Sequence, residues 1–294
     1  IDFLRMLNKA VLSKYKGVVM IAEESTAFPM VTLSPDQGGL GFNFKWNMGW
    51  MNDTLDYVKT DPFFRKGSHD KLTFSITYAF SENFVLPFSH DEVVHGKASM
   101  IGKMNGNYNE RFDALRALYA YQMSHPGKKL NFMGNEFAQF IEWDFTKGLD
   151  WLLLDYDSHR AMQYYVKELN HFYLGNKALY ELDSSYEGFK WIVVDDKEQN
   201  VVVYERSDKD GEKIICMINF SKVDRPCYKI GVNEGAYKIA FNSAWKRFGG
   251  TNEEKAETIK TEKMPMHGKE DCLTVDLPGN SALFIKKLKG ELQC

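Results

Sequence analysis

Near Leu182 the chain changes rhythm, and that change calls for two kinds of architecture in succession. Up to there, short apolar runs alternate with helical patterns. Residues 18–22, 40–46, 84–88 and 129–133 read as strands, and helical spacing covers 3–11, 50–58, 71–80, 111–123 and 160–174. Runs such as Val-Val-Met-Ile-Ala, apolar without interruption and bounded by Gly17 and Glu23, are how strands buried on both faces of a parallel sheet read. Beyond Leu182 the strand runs follow one another directly, at 191–194, 201–206, 214–220, 237–241, 272–277 and 282–287. Polar turns join them, including Asp210-Gly211, a strong hairpin signal. Alternation followed by strands alone predicts an α/β unit over 1–183 and an all-β sandwich over 184–294. The stretch 253–263 reads as a solvated loop.

Composition removes several function classes. With 44% hydrophobic and 26% charged residues the chain has enough apolar side chains for a sizeable core. A net charge of −3 and the lack of a basic run leave no electrostatic footprint for nucleic acid. No apolar stretch approaches the roughly 18 residues that a membrane span needs. Cys216, Cys227, Cys272 and Cys294 are too sparse for a disulfide scaffold and lack the close spacing of a zinc site, so reduced thiols and a cytoplasmic setting are expected. Ile1 is not a methionine, and the opening helix has no cap residue before it. The chain therefore reads as part of a longer protein.

Polar residues appear where the buried runs stop. In an α/β barrel the loops after the strands converge on one mouth, so Glu23, Asp91 and Glu136, each just past a predicted strand, are the first candidates for chemistry. A lone carboxylate there is ordinarily a cap or a solvated turn. Several together suit reaction at an acetal, which needs an acid for the leaving oxygen and a carboxylate for the developing positive charge. His90 and His95 lie five apart rather than the four of a zinc-binding helix, and neither a metal nor a nucleotide cofactor is expected. Ser89 beside His90 lacks the Gly-x-Ser-x-Gly elbow of a serine hydrolase. Phe42, Phe44, Trp46, Trp50, Trp143 and Trp151 are mostly core candidates, a minority of which could stack on sugar rings.

The words Met-Ile-Ala-Glu-Glu-Ser-Thr at 20–26, Leu-Pro-Phe-Ser-His-Asp-Glu-Val-Val-His-Gly-Lys at 86–97 and Phe-Met-Gly-Asn-Glu-Phe-Ala-Gln at 132–139 resemble those of the bacterial glycogen branching enzymes, members of the alpha-amylase superfamily (glycoside hydrolase family 13). The supporting stretch Gly-Gly-Leu-Gly-Phe-Asn-Phe-Lys-Trp-Asn-Met-Gly-Trp-Met at 38–51 fits the same family. The resemblance implies the C-terminal half of a (β/α)8 TIM barrel, its fifth to eighth strands falling near Val18, Phe42, Val85 and Leu130, followed by an antiparallel β-sandwich. It implies cleavage of an α-1,4-glucan such as glycogen or amylose and transfer of the cut chain to a glucose 6-hydroxyl, with retention. Glu23 matches the general acid/base, Asp91 the carboxylate that stabilises the transition state, and His90 the histidine that contacts the same sugar. Glu24 is the lesser candidate because neighbouring strand residues face opposite ways. Glu136 has no catalytic counterpart.

One departure carries as much weight as the match. The family's nucleophilic aspartate stands in a Gly-Phe-Arg-x-Asp-Ala-Val word on the fourth strand, and no such word occurs here, so this chain alone is expected to be inactive. Half a barrel leaves open edges, which a second copy would cover. The competing readings are a non-catalytic glucan-binding module and an alpha-amylase-like hydrolase.

Overall fold

The computed structural model describes residues 1–255 and 257–288; Cys294, one of the expected thiols, lies outside them. The first part runs α1 (Asp2–Lys14), β1 (Ile21–Ala22), β2 (Phe44–Trp46), α2 (Met48–Lys59), α3 (Asp70–Thr73), β3 (Phe84–Phe88), α4 (Tyr108–Ser124), β4 (Lys128–Asn131) and α5 (Asp157–Leu174). Its four strands form one wholly parallel sheet in the order β1-β2-β3-β4. Among the described residues, no helix is long and apolar enough to cross a membrane.

The second part runs β5 (Phe189–Asp196), β6 (Val201–Ser207), β7 (Lys213–Asn219), β8 (Arg225–Val232), β9 (Ala236–Asn242), β10 (Thr258–Lys260), β11 (Glu262–Met266), β12 (Lys269–Leu277) and β13 (Ser281–Lys287). A six-stranded sheet, β10-β9-β13-β7-β6-β5, faces a three-stranded one, β11-β12-β8, and every pairing in both is antiparallel. Between them lie Val201, Val203, Ile215, Met217, Leu283 and Ile285 of the larger sheet against Ile230, Val232, Leu273, Val275 and Leu277 of the smaller. The alternate residues of the same strands, Val202, Tyr204, Ile214, Cys216, Ile218, Ala282 and Phe284, are buried on the opposite face in the core shared with the helices. Burial on both faces is why β6, β7 and β13 read as unbroken apolar runs in an antiparallel sheet.

Helix α4 joins the two parts. An Asn107/Glu110 capping box starts it: the Glu110 amide donates to Asn107 Oδ1 at 3.0 Å and the Asn107 amide to Glu110 Oε2 at 2.7 Å. From Ala114 to Ser124 every residue is buried, so the helix lies in the interior rather than on a surface. Its polar side chains are spent on backbone. Gln122 Nε2 donates to the carbonyls of Leu86 and Leu130 at 3.0 Å each, spanning β3 and β4, and Arg116 Nε donates to Ser243 O at 2.9 Å in the β-rich part.

Three expectations need correction. The run 18–22 forms only the two-residue β1, and Val18, Val19 and Ile21 are exposed, because β1 is the sheet's edge and its apolar residues have a neighbour on one side only. The helix expected over 71–80 breaks after Thr73 into a 3-10 turn. The loop expected over 253–263 contains β10 and the start of β11, whose mostly exposed and charged residues carry no apolar periodicity.

Candidate functional site

Because the four strands of the first sheet run parallel, residues that follow them gather at one rim. Glu23 comes directly after β1, and Ser89, His90 and Asp91 come directly after β3, two strands across. At the usual strand spacing the two strands are roughly 10 Å apart.

The register assigns a face to each residue. Ala22 pairs with Lys45 and Lys45 with Phe84, so all three side chains point to one side of the sheet. Phe88, four residues beyond Phe84, packs on Trp50 of α2 at 5.3 Å and Tyr119 of α4 at 6.3 Å, which identifies that side as the one covered by helices. Glu24, two beyond Ala22, belongs to it as well. Its carboxylate meets the buried Lys45 ammonium at 2.5 Å, and Lys45 Nζ also donates to Thr26 O and Phe28 O. Burial works to raise the Glu24 carboxyl, but Lys45 and Thr26 prevail and hold it below the ordinary carboxylate range. Glu23, between Ala22 and Glu24 and exposed, falls by alternation on the opposite face, with Trp46 and Val85.

At β3 the chain turns sharply. The Ser89 amide and hydroxyl both donate to Glu92 Oε2 at 2.6 Å, and the Asp91 amide donates to Ser89 Oγ, closing a capping box around His90 and Asp91. His90 Nε2 stands 3.3 Å from Asp91 Oδ1, and both side chains remain over 40% exposed, open to a ligand. The His90 ring lies against Phe132, just past β4, at 5.9 Å, and meets Trp143 edge-on at 6.0 Å. Imidazole and carboxylate thus stand together beside an aromatic wall, an arrangement that can accept and donate to sugar hydroxyls while a pyranose face packs on the rings.

Glu136, the third carboxylate candidate, bends back within its own turn, where the Gly134 amide donates to Oε2 at 2.7 Å. It serves as a local cap. Trp143 stood among the aromatic candidates with no particular role, whereas the structure gives it one beside His90. Lys103 and Glu142, which hold the loop after Asp91 in place, went unread because lone charged residues in a sequence look solvated.

Residues 191–287 match the family model for the alpha amylase C-terminal all-beta domain. Among solved structures, the chain resembles the alpha-amylase of H. orenii (TM-score 0.62, 15% identity, covering 98% of this chain and 57% of that one). It also resembles Eubacterium rectale Amy13B (TM-score 0.57, 14% identity, covering 98% and 56%). These similarities speak for the fold. Among curated relatives, it is 50% identical over 290 residues to the 1,4-alpha-glucan branching enzyme GlgB of Halothermothrix orenii, covering 98% of this chain and 46% of that protein. It is 51% identical over 288 residues to GlgB of Aquifex aeolicus, covering 97% and 46%. The chain spans a little under half the length of these relatives. Identity at that level, sustained from the parallel sheet through the all-beta part, relates nearly the whole chain to the corresponding part of the bacterial 1,4-alpha-glucan branching enzymes GlgB, and its all-beta part to the alpha amylase C-terminal domain.

Proposed function

We propose that the protein containing this chain is a branching enzyme that cuts an α-1,4-glucan, such as glycogen or amylose, and passes the cut chain to a glucose 6-hydroxyl, leaving an α-1,6 branch. The observation that carries this reading is the common rim: Glu23 and the His90–Asp91 pair follow parallel strands at the same end of one sheet, while Glu24 is committed to Lys45 on the other face. In this scheme Glu23 protonates the departing glycosidic oxygen and later takes the proton of the incoming hydroxyl. Asp91 meets the charge that develops on the sugar, and His90 holds the same sugar by its hydroxyls.

We take the parallel sheet to be strands five to eight of a (β/α)8 barrel, with the barrel part over 1–183 and the sandwich over 184–294, of which 256 and 289–294 lie outside the described residues. Four parallel strands with helices on one face and a carboxylate-bearing rim support that reading. The free thiols of Cys216, Cys227 and Cys272 support a cytoplasmic location. Since the family's nucleophile word is missing, the isolated chain should turn over no glucan. Linkage analysis of amylose treated with the complete protein tests the activity: new α-1,6 bonds are expected, and shortened chains without branches would instead make it a hydrolase.

Alone, the chain presents β1 and β4 as edges, with Val18, Val19 and Ile21 exposed beside the first of them. We propose that a second copy covers this apolar margin when the chain is produced by itself. Size-exclusion chromatography with light scattering should give a dimer or larger species. A monomer at all concentrations would end that proposal.

A further inference from the structure

The loop that follows Asp91 is held from two sides. From below comes Lys103, a residue only 6% exposed. Its Nζ donates to the carbonyls of Glu92 at 2.5 Å and Lys97 at 2.7 Å, and to that of Ala98. An ammonium has three N–H donors, and here all three go to main-chain carbonyls of one loop. From above, the Glu142 carboxylate accepts from the amides of Gly96 at 2.9 Å and Ala98 at 2.7 Å. The next residue, Trp143, donates its amide to Val93 O at 2.7 Å and sets its ring edge-on to His90. Charge-assisted bonds of this kind are about twice as strong as neutral ones. A buried ammonium spent wholly on loop carbonyls is costly to desolvate, so its presence calls for a use.

We propose that Lys103 is a positioning residue: by clamping residues 92–98 against Glu142 and Trp143, it fixes the reach of His90 and Asp91 toward the sugar. The proposal rests on the branching-enzyme reading for its kinetic consequence and on the hydrogen bonds alone for its structural one. A clamp of this sort acts on the transition state, where small displacements matter most, and leaves ground-state binding largely alone.

Burial drives the Lys103 ammonium down to about 8, with Lys59 pushing it lower, Glu92 and Glu142 pulling it up, and Lys97 again pushing it down. These are the charged groups that face it from α2, from its own loop and from the segment above. A neutral amine has only two N–H donors, so one carbonyl loses its partner as pH rises through that value.

The test uses the complete protein, with Lys103→Met and amylose as substrate. The variant should lose about a hundredfold in kcat, the scale of an ångström-sized misplacement. Its KM should stay within about threefold, the signature of an interaction made in the transition state. The amides of Gly96 and Ala98 should exchange faster with deuterium. An alkaline fall in kcat near pH 8 should be present in the wild type and absent from the variant. Wild-type kcat, or unchanged exchange at both amides, would overturn the proposal. Should Lys103→Met not fold, Glu142→Gln carries the test from the other side. About a tenfold loss in kcat with faster exchange is expected, and the absence of both changes would overturn the proposal. If the wild-type protein makes no α-1,6 bonds, the function reading fails, while the exchange measurement, which needs no turnover, still decides the clamp.

Discussion

Glu23→Gln in the complete protein is expected to lower kcat by about a thousandfold, within the range that positioned proton transfer supplies, while affinity for a maltooligosaccharide measured by calorimetry stays nearly unchanged. The amide keeps the size and planarity of the carboxyl, so the sugar loses little on binding. What it cannot do is deliver a proton to the glycosidic oxygen or collect one from the acceptor. Glu24→Gln is the internal control. Glu24 sits on the face covered by helices, paired with Lys45, and an amide there leaves Lys45 its two carbonyl partners at Thr26 and Phe28. Activity should then stay within a few-fold. The opposite pattern, with Glu24→Gln inactive and Glu23→Gln active, would mean that the strand alternation used to separate the two carboxylates has been read on the wrong face.

That alternation also marks what the sequence could disclose. Strand β3 is legible because its apolar run has helices on one face and sheet neighbours on both sides, so nearly every position is buried. Strand β1 was overextended for the complementary reason: an apolar run does not say that its strand stands at an edge, where Val18, Val19 and Ile21 are exposed. Strands β10 and β11 escaped because outward-facing residues such as Lys260, Glu262 and Lys263 bury nothing, and periodicity reports only burial. At the site, carboxylates just past predicted strands offer Glu23, Asp91 and Glu136 alike, and only the family resemblance singles out Glu23 and Asp91. The support behind them did not show. Lys103 is twelve residues from Asp91, and Glu142 a further thirty-nine, and nothing in either residue's neighbours distinguishes a buried clamp from a solvated charge. Such contacts are set by how loops return, which no local pattern encodes.

The other large effect is expected at the junction between the parallel sheet and the β-sandwich, where Arg206→Leu should destabilise the protein by about 4 kcal/mol, in the range found when one partner of a buried pair is removed. Arg206 is fully buried on β6, and its guanidinium holds three separate segments. Nε donates to Gly188 O at 3.0 Å, Nη1 to Ser124 O at the end of α4 at 2.6 Å, and Nη2 to Asp183 Oδ1 at 2.7 Å. The other Asp183 oxygen meets Lys128 of β4 at 3.0 Å. Leucine fills much of the volume but strands the Ser124 and Gly188 carbonyls and leaves Asp183 to Lys128 alone. Thermal unfolding by calorimetry should record a fall in Tm of about 6 °C for a chain of this size. The companion variant Arg206→Leu with Asp183→Leu separates charge from packing. If the loss arises chiefly from a buried carboxylate deprived of its guanidinium, removing that carboxylate as well should recover about half of the stability, since apolar replacement of a whole buried pair is often close to neutral. No recovery in the double variant would assign the loss to the two orphaned carbonyls. A single variant within about 1 kcal/mol of wild type, no more than a typical point substitution costs, would mean that the helices and the six-stranded sheet hold together through their shared apolar core without this guanidinium.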